Sequence, residues 1–586
     1  MGVNGFSRAS GIPPWEHLIV VVAEKPSVAR AISRVLRKHG VEARVLGLRG
    51  HILDADLPEE YGWGRVDPER IFDVRRFRTI VRDERAYREL GQIFKDKEVE
   101  ELVIATDNDS EGELIGSEVL ELYRRFNGGD VKVSRMRFNA IADDELWRAW
   151  REREHDLNWR WVAKASYRRG FDLITGAAFT RILTTSARKV GYRGLISWGS
   201  CQTPTLNYLV SREEEIRRFK PKTYWAIRIL LEREGELFWA RSRRFGSRTE
   251  AEETLRKVRE ESEALVEDYS EKDEVSKRPK PLRTDEMLRD LNRITGMSAA
   301  NILRIAEELY SEGYISYPRT DTEKWPKNFN HAAPTKAVIT AGIIDEPKAS
   351  PNPLQGRLDD KAHPPIYPVK PHRRDNTPRW KVWEYVARRY AANVYMPDAV
   401  LLKQRVSVLA GGVRFSADGL RILKEGYYKV YGYFRPREDP LPRLRRGEHL
   451  RIRDVKLVEE KTRPPPRLSE ANLLKLMERD GIGTDATRAE YPRILIQRGY
   501  AVKSGRILKP TELGITLIQH LRRIDGRLVS PETRRMVEEH MDRIGEGKEE
   551  VEEALDKTLS IYSELYQRLK PKVKEIWMEL DREVRK

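Results

Sequence analysis

The chain of 586 residues carries one cysteine, Cys201. With no second thiol there is no intrachain disulfide and no Cys-based zinc ribbon, so no zinc is expected, and a reducing, cytoplasmic setting fits. Long apolar runs are also missing. LIVVVA at 18–23 is the longest near the start, too short for a membrane span or a signal segment, so no membrane partner is expected. Phe6 breaks the myristoylation pattern that Gly2 begins. No GxxxxGKS or GxxxxGKT occurs; the nearest stretch, RIGEGKEE at 543–550, lacks the first glycine at the required spacing and the final hydroxyl. A P-loop motor is excluded, and no use of ATP is expected.

What the chain has in quantity is charge. Hydrophobic residues make up 39% and charged residues 35%, with 110 Lys and Arg against 93 Asp and Glu, a net charge of +17. The basic excess runs from Arg30 to Lys586 and is not confined to a tail, so a polyanion is the expected partner, nucleic acid first. A thermophile's ion-paired surface gives the same composition, and both readings can hold. The length exceeds what one core serves, so roughly three to five subdomains of about 100 to 200 residues are expected.

After a loose lead over 1–15, LIVVVAEKPSVARAISRVL reads as strand, tight turn and helix, with Pro26 in the first turn and Val28, Ile32, Val35 and Leu36 on one face. A second such unit spans 99–126, its helix carrying Leu114, Ile115, Val119 and Leu122. Two strand-turn-helix units imply a parallel α/β sheet with both turns at its carboxyl edge, where open sheets place their chemistry. Residues 156–212 read as helical. Alternation dominates 221–275 and 398–460, which suggests one β domain interrupted by an insertion. Within the insertion come helix TDEMLRDLNRIT, then Ser298 capping a helix closed by Gly313, then extended YISYPRT. A weak echo at 468–511 gives helix, helix and hairpin, so both segments read like winged helices, a shape that serves DNA contact or plain scaffold. The tail from 546 carries an apolar stripe, Val551, Leu555, Leu559, Tyr562, Tyr566 and Leu569, resumed by Val573, Ile576, Trp577 and Leu580, and is expected to pack as core.

Three constellations carry chemistry. In TDNDSEGE at 106–113, Asp107, Asp109 and Glu111 alternate, so an extended turn would aim all three the same way. Crowded hard oxygens there suit a divalent cation, and Mg²⁺ takes one or two carboxylates plus a phosphate. A solvated acidic loop is the alternative. The other turn supplies Glu24, able to trade a proton with a leaving 3′ oxygen or to hold the metal, and Lys25, able to neutralise a phosphate; alone, such a pair is common on surfaces. In LYSEGYISYPRTDTEKWP at 309–326, Tyr317 precedes Pro318 and is pushed toward extended backbone, so Tyr317 and Arg319 would project from one side. Core packing of that tyrosine is the plainer reading. As a nucleophile it needs cations around it, because phenols ionise only near pH ~10; Arg319, Lys25 and the metal are the natural suppliers.

The strand-Glu turn and TDNDSEGE together resemble a Toprim domain, and SEGYISYPRTD resembles the active-site segment of type IA DNA topoisomerases, in particular the topoisomerase III branch with its archaeal members. Similar motifs continue in family order: ASYRRGFD at 165–172, SCQTPTLNYLVSREEEI at 200–216, DKAHPPIYP at 360–368 and RLSEANLLKLMERDGIGTDATRAE at 467–490. The resemblance implies a multidomain fold in which a Toprim α/β domain joins winged-helix-like and β-rich domains in a toroid. The expected bounds are 16–155 for Toprim, 156–212 with 464–586 for the helical DNA-binding part, 213–279 with 398–463 for the β-rich gate or hinge, and 280–397 for the tyrosine-bearing insertion.

The resemblance further implies ATP-independent cleavage of one DNA strand through a 5′-phosphotyrosyl link, strand passage and religation. Tyr317 would be the nucleophile, Arg319 would steady the scissile phosphate, Glu24 would be general acid and base, and Lys25 would neutralise phosphate charge. Glu24, Asp107, Asp109 and Glu111 would hold Mg²⁺. Arg168, Arg169 and Asp172 match residues that position DNA, His363 and Gln202 match residues near the site or along the strand path, and Thr487 matches a backbone contact. Transesterification conserves bond energy, which agrees with the missing P-loop. Single-stranded DNA fits a basic groove with aromatic stacking, for which Trp198 and Trp225 are candidates. The substrate would be negatively supercoiled or catenated DNA, the enzyme a monomer, and a helicase a potential partner.

Two departures stand out. Zinc ribbons carried by many family members cannot be built here, and the usually basic position before Gln202 reads Ser200-Cys201, so a phosphate contact is expected to be lost. Rival readings are a Toprim primase or nuclease, which lacks YISYPRTD, and a basic single-strand-binding protein with decayed motifs. A reverse gyrase half is a third, and the short lead before the first strand leaves it no helicase, so positive supercoiling is not expected.

Overall fold

Val20, Val21, Val22 and Ala23 have no solvent exposure, because strand Leu18–Ala23 is flanked by strands on both sides and covered on both faces. The computed structural model describes residues 18–96, 99–484 and 487–584; the expected lead over 1–15 lies outside them, as do Asp485 and Ala486 of the GIGTDATRAE motif. The first sheet has five strands in the order Arg44–Gly47, Leu18–Ala23, Val99–Ala105, Lys132–Arg135, Glu154–His155, parallel except for the last pair. Ala23 pairs with Ala105 at the carboxyl ends of the two central strands. The turns that begin at Glu24 and Thr106 therefore leave the sheet side by side.

Helix Pro26–Lys38 follows the first turn and buries Val28, Ile32, Val35 and Leu36; helix Ser110–Asn127 follows the second and buries Leu114, Ile115, Val119 and Leu122. Gly112 is required where it stands: a Cβ there would lie 2.0 Å from the Asp107 carbonyl oxygen, so only glycine lets the helix start press against the acidic turn.

The two alternating segments join in one closed barrel: Glu263–Ser276, Ala399–Ala410, Val413–Lys424, Glu236–Ser242, Thr223–Arg233, His449–Lys461. Inward alternation such as Ile227, Ile229, Leu231 and Val406, Val408 fills it. The strand reading of 221–275 passes over one helix, Arg248–Arg259, whose N-cap Ser247 accepts the Glu250 amide; Ala251, Leu255 and Val258 join the barrel core. Its apolar residues recur at helical spacing, and the cap in GSRTE marks the start.

The chain between the barrel halves carries helices Thr284–Thr295, Ala299–Ser311, Ala332–Thr340 and Pro378–Tyr395. Ser298 caps the second through the Asn301 amide, and Gly313 closes it at φ +75. Among the described residues, the extended run that follows pairs through isolated bridges, Ile315 with Pro368, next to Leu282 with Ile366, and not as a hairpin wing. The echo does form one: helices Glu470–Arg479 and Tyr491–Gln497 precede hairpin Ala501–Ser504 and Ile507–Pro510.

Helix Trp159–Lys189 packs with Gln202–Arg218 and with the tail helices Val551–Leu569 and Val573–Val584 around Phe171, Phe179, Tyr562, Tyr566 and Trp577. The tail stripe is core as expected, with Val551 only half-buried; the Leu580 side chain lies outside the described residues. Trp198 is core as well. It is 3% exposed and its indole N–H donates to the Leu528 carbonyl, which removes it as a base-stacking platform. Among the described residues no helix is long and apolar enough to cross a membrane.

Candidate active site

Tyr317 reaches the sheet edge because the chain after Gly313 runs along it: the Tyr317 amide donates to the Asn139 carbonyl at 2.8 Å, and the Ser316 amide to Tyr367 at 2.9 Å. The side chain is 3% exposed, and its hydroxyl donates to Asp109 Oδ2 at 2.5 Å. Tyr310 packs edge-on at 5.2 Å between ring centroids, and His363 lies at 5.0 Å.

The opposing wall comes from the two turns. Asp109 caps helix Ser110–Asn127, its Oδ1 accepting the Gly112 amide at 2.7 Å, which leaves Oδ2 for the phenol. Lys25 Nζ donates to Asp107 Oδ2 at 3.0 Å, and the Asp107 amide donates to Glu24 Oε2 at 3.1 Å. Burial and the Asp107 charge push the half-buried Glu24 carboxyl up to about 8, against the pull of Lys25. Burial alone would weaken the Lys25 ammonium, but Asp107 and Glu24 outweigh it and hold its pKa above the ordinary value.

Arg319 projects to the same side as Tyr317 and binds Glu307, its Nε 2.8 Å from Oε1. Burial works against the Asp109 carboxylate, but Arg319 and the phenol's hydrogen bond more than offset it and keep its pKa low. The expected cations do not by themselves lower the Tyr317 pKa in the chain without metal or DNA. Burial and the Asp109 and Asp107 charges raise it well above the ordinary phenol value, and Arg319 does not compensate. The cations expected to lower it are engaged by carboxylates, so the hydroxyl is a hydrogen-bond donor with its proton held.

Glu111 departs from the expected trio. An extended turn would aim it with Asp107 and Asp109, but the helix begins at Ser110, and two helical residues turn the direction by about 200°. Glu111 faces His51 Nε2 at 3.2 Å and Arg168 Nη1 at 3.8 Å. Among the described residues no three His, Cys, Asp or Glu side chains converge closely enough to hold a metal ion. The donor chemistry still suits Mg²⁺, since Glu24, Asp107 and Asp109 are hard carboxylates near enough for both aspartates to raise Glu24.

The remaining expected residues divide. His363 belongs to the site: Nε2 lies 2.7 Å from the Asn108 carbonyl and Nδ1 3.0 Å from Asp360, whose charge overcomes burial and raises the imidazole pKa. Arg168 and Arg169 line the adjoining face of helix Trp159–Lys189, Arg169 at 3.3 Å from Glu118 and 3.6 Å from Asp54. Asp172 accepts from Ser200 at 3.2 Å and from Arg534 at 2.9 Å. Gln202 is buried and bonds Ser197, and Thr487 bonds Thr484 within the glycine-rich turn, so neither is brought to the phenol. Trp225 donates to Glu459 on the barrel.

Several site residues lack an assignment from sequence. Glu307 and Tyr310 stand three apart on the helix that leads into the tyrosine motif, a same-face signal. Asp360 takes the amides of Ala362 and His363 at 2.9 and 2.8 Å, an Asx turn legible in DDKAH. His51 follows the third parallel strand, Arg44–Gly47, and so emerges at the same carboxyl edge. Burial would lower its pKa, but Glu111 and Glu118 raise it to about 9.

A parallel sheet whose carboxyl edge carries Glu24, Asp107 and Asp109 defines a Toprim unit, and the Toprim domain profile matches residues 19–141. The DNA topoisomerase profile matches 156–556. DNA topoisomerase 1 of Archaeoglobus fulgidus is 33% identical over 569 residues, covering 92% of this chain and 82% of that protein. Human DNA topoisomerase 3-beta-1 is 32% identical, over 93% of this chain and 68% of its own length. The solved full-length topoisomerase I of Thermotoga maritima superposes with TM-score 0.75 at 25% identity, covering 94% of this chain and 90% of that one. The chain belongs to the type IA DNA topoisomerase family and shares its toroidal fold.

Proposed function

We propose that this enzyme cuts one DNA strand by attack of the Tyr317 oxygen on a phosphodiester, passes a second strand through the break and reseals it. The supporting observation is the Tyr317 hydroxyl aimed at Asp109, 2.5 Å away, with Glu24, hydrogen-bonded by the Asp107 amide, in the neighbouring turn. As the oxygen of Tyr317 bonds to phosphorus, its proton passes to Asp109. The bond from phosphorus to the 3′ oxygen breaks, and Glu24 gives that oxygen its proton. Religation runs in reverse, with Glu24 taking the proton from the 3′ hydroxyl and Tyr317 leaving as a phenol. Arg319 and Lys25 exchange Glu307 and Asp107 for phosphate oxygens when DNA enters. His363, held by Asp360 and the Asn108 carbonyl, keeps its ring against the phenol.

Glu24, Asp107 and Asp109 would hold Mg²⁺, with Glu111 joining only after release from His51. When bound, the ion supplies positive charge against the phosphate and the 3′ oxygen. Arg168, Arg169, Asp172, Gln202 and Thr487 belong to the proposed DNA path, which no ATP drives. Functional units fall at 16–155, 156–212 with 464–586, 213–279 with 398–463, and 280–397. Single-stranded stretches of negatively supercoiled or catenated DNA are the substrate, the enzyme acts as a cytoplasmic monomer, and a helicase is the class of partner that would expose such stretches.

The test mixes enzyme with end-labelled single-stranded DNA and stops the reaction with denaturant. Wild type gives a covalent protein–DNA band; Tyr317→Phe gives none and relaxes no plasmid. A band of equal strength from Tyr317→Phe would end the proposal.

A further inference from the structure

Beneath Glu111 lies a carboxylate that the proposed chemistry does not use. Glu118, 3% exposed, stands seven residues further along helix Ser110–Asn127 and so on the same face. Its Oε2 accepts the amides of Ile52 and Leu53, both at 3.1 Å, while its Oε1 lies 2.8 Å from His51 Nδ1 and 3.3 Å from Arg169 Nη1. The imidazole is thereby fixed on one side, and its free edge presents Nε2 to Glu111 Oε2 at 3.2 Å. The other oxygen of Glu111 faces Arg168 at 3.8 Å. A glutamate in the first turn of a helix needs no such partners to be stable, because the helix dipole already favours it.

We propose that His51 is a positioning residue, oriented by Glu118, which holds Glu111 apart from Asp107 and Asp109 and so sets the divalent-cation concentration at which Glu111 joins them. The proposal rests on the reading that these carboxylates take a divalent cation. A cation between the aspartates gains Glu111 only by displacing the His51 hydrogen bond, so removing His51 strengthens cation capture. If His51 instead organised the ligands, its removal would weaken capture. The two roles differ in sign.

The test titrates Mn²⁺, as a paramagnetic stand-in for Mg²⁺, into the full-length DNA-free enzyme and reads bound ion by electron paramagnetic resonance. His51→Ala is expected to bind about tenfold more tightly than wild type, the order of one hydrogen bond to a charged group. His51→Gln, which keeps a donor near Nε2, stays within about threefold of wild type. In a Glu111→Gln background the gain from His51→Ala disappears. Unchanged or weaker binding by His51→Ala, or a gain that survives without Glu111, overturns the proposal. Should circular dichroism show His51→Ala unfolded, Glu118→Gln takes its place. It is expected to tighten binding by loosening the ring, and unchanged affinity overturns the proposal. A wild-type enzyme with no Mn²⁺ site sensitive to Asp107→Asn would refute the cation reading itself, and this proposal with it.

Discussion

The Asp107 amide donates to the Glu24 carboxyl across 3.1 Å, tying together the two turns that leave neighbouring strands. The same closeness puts the Asp107 charge on Glu24, and with burial it lifts that carboxyl from 4.5 to about 8. A carboxyl raised on folding binds a proton the unfolded chain has released, so stability is present below pH 4.5 and is lost as pH rises through about 8. Without divalent cations, the melting temperature should therefore fall between pH 5 and pH 9, and Glu24→Gln should flatten that fall. The difference is on the order of a few kcal/mol. Parallel pH profiles for the two proteins would refute the assignment.

Lys25 is the ammonium on Asp107, and its removal leaves a buried carboxylate uncompensated beside Glu24 and Asp109. Lys25→Met should lose about 2 kcal/mol of stability in chelator, since unpairing a buried charge costs more than the pair gives. Added Mg²⁺ should then raise its melting temperature more than that of wild type, because the ion replaces the missing charge. Equal Mg²⁺ shifts in the two proteins would argue against cation binding at these carboxylates. Strand cleavage should fall about a hundredfold as the phosphate loses its ammonium.

Arg319 engages one oxygen of Glu307, Oε1, through both Nε and Nη2. Its planar fork can also span two phosphate oxygens, which lysine cannot reproduce. Arg319→Lys should keep the fold and single-strand affinity yet form covalent adduct about ten- to a hundredfold more slowly. Single-turnover cleavage separates the two quantities. An unchanged cleavage rate would assign Arg319 to structure alone.

Local patterns reported the fold well, because each element carries its own periodicity. Val28, Ile32 and Leu36 mark a helix, and Ile227, Ile229 and Leu231 mark a barrel strand, wherever the chain goes next. Tyr317, Arg319, Glu24 and Asp109 were legible from motifs that hold together over a few residues. Glu111 was misplaced because one residue, Ser110, decides whether the turn stays extended, and alternation cannot report where a helix starts. His51 and Glu118 escaped notice because their link spans 67 residues and depends on which strands become neighbours. The partners of the site's cations are hidden for a related reason. Glu307 and Asp107, which occupy Arg319 and Lys25, come from other elements.

Gly112 offers a test of how tightly the acidic turn is held. A methyl group there would lie 2.0 Å from the Asp107 carbonyl oxygen and 3.0 Å from its carbon, both backbone atoms that cannot step aside alone. Gly112→Ala must shift the turn or the helix start, and either displaces Asp109, whose Oδ1 is fixed by the Gly112 amide. Overpacking of this kind costs about 1–3 kcal/mol, small enough to leave the domain folded. Displacing the proposed catalytic wall by even ~1 Å should cost about a hundredfold in rate. Gly112→Ala should therefore show a modest fall in melting temperature with a loss of DNA cleavage out of proportion to it. At Gly176, where a Cβ meets nothing within 4 Å, the same substitution should leave cleavage unchanged. Full cleavage by Gly112→Ala would mean that the turn can relax without moving Asp109, and the close packing of helix on turn would then have no part in aiming the carboxylate at Tyr317.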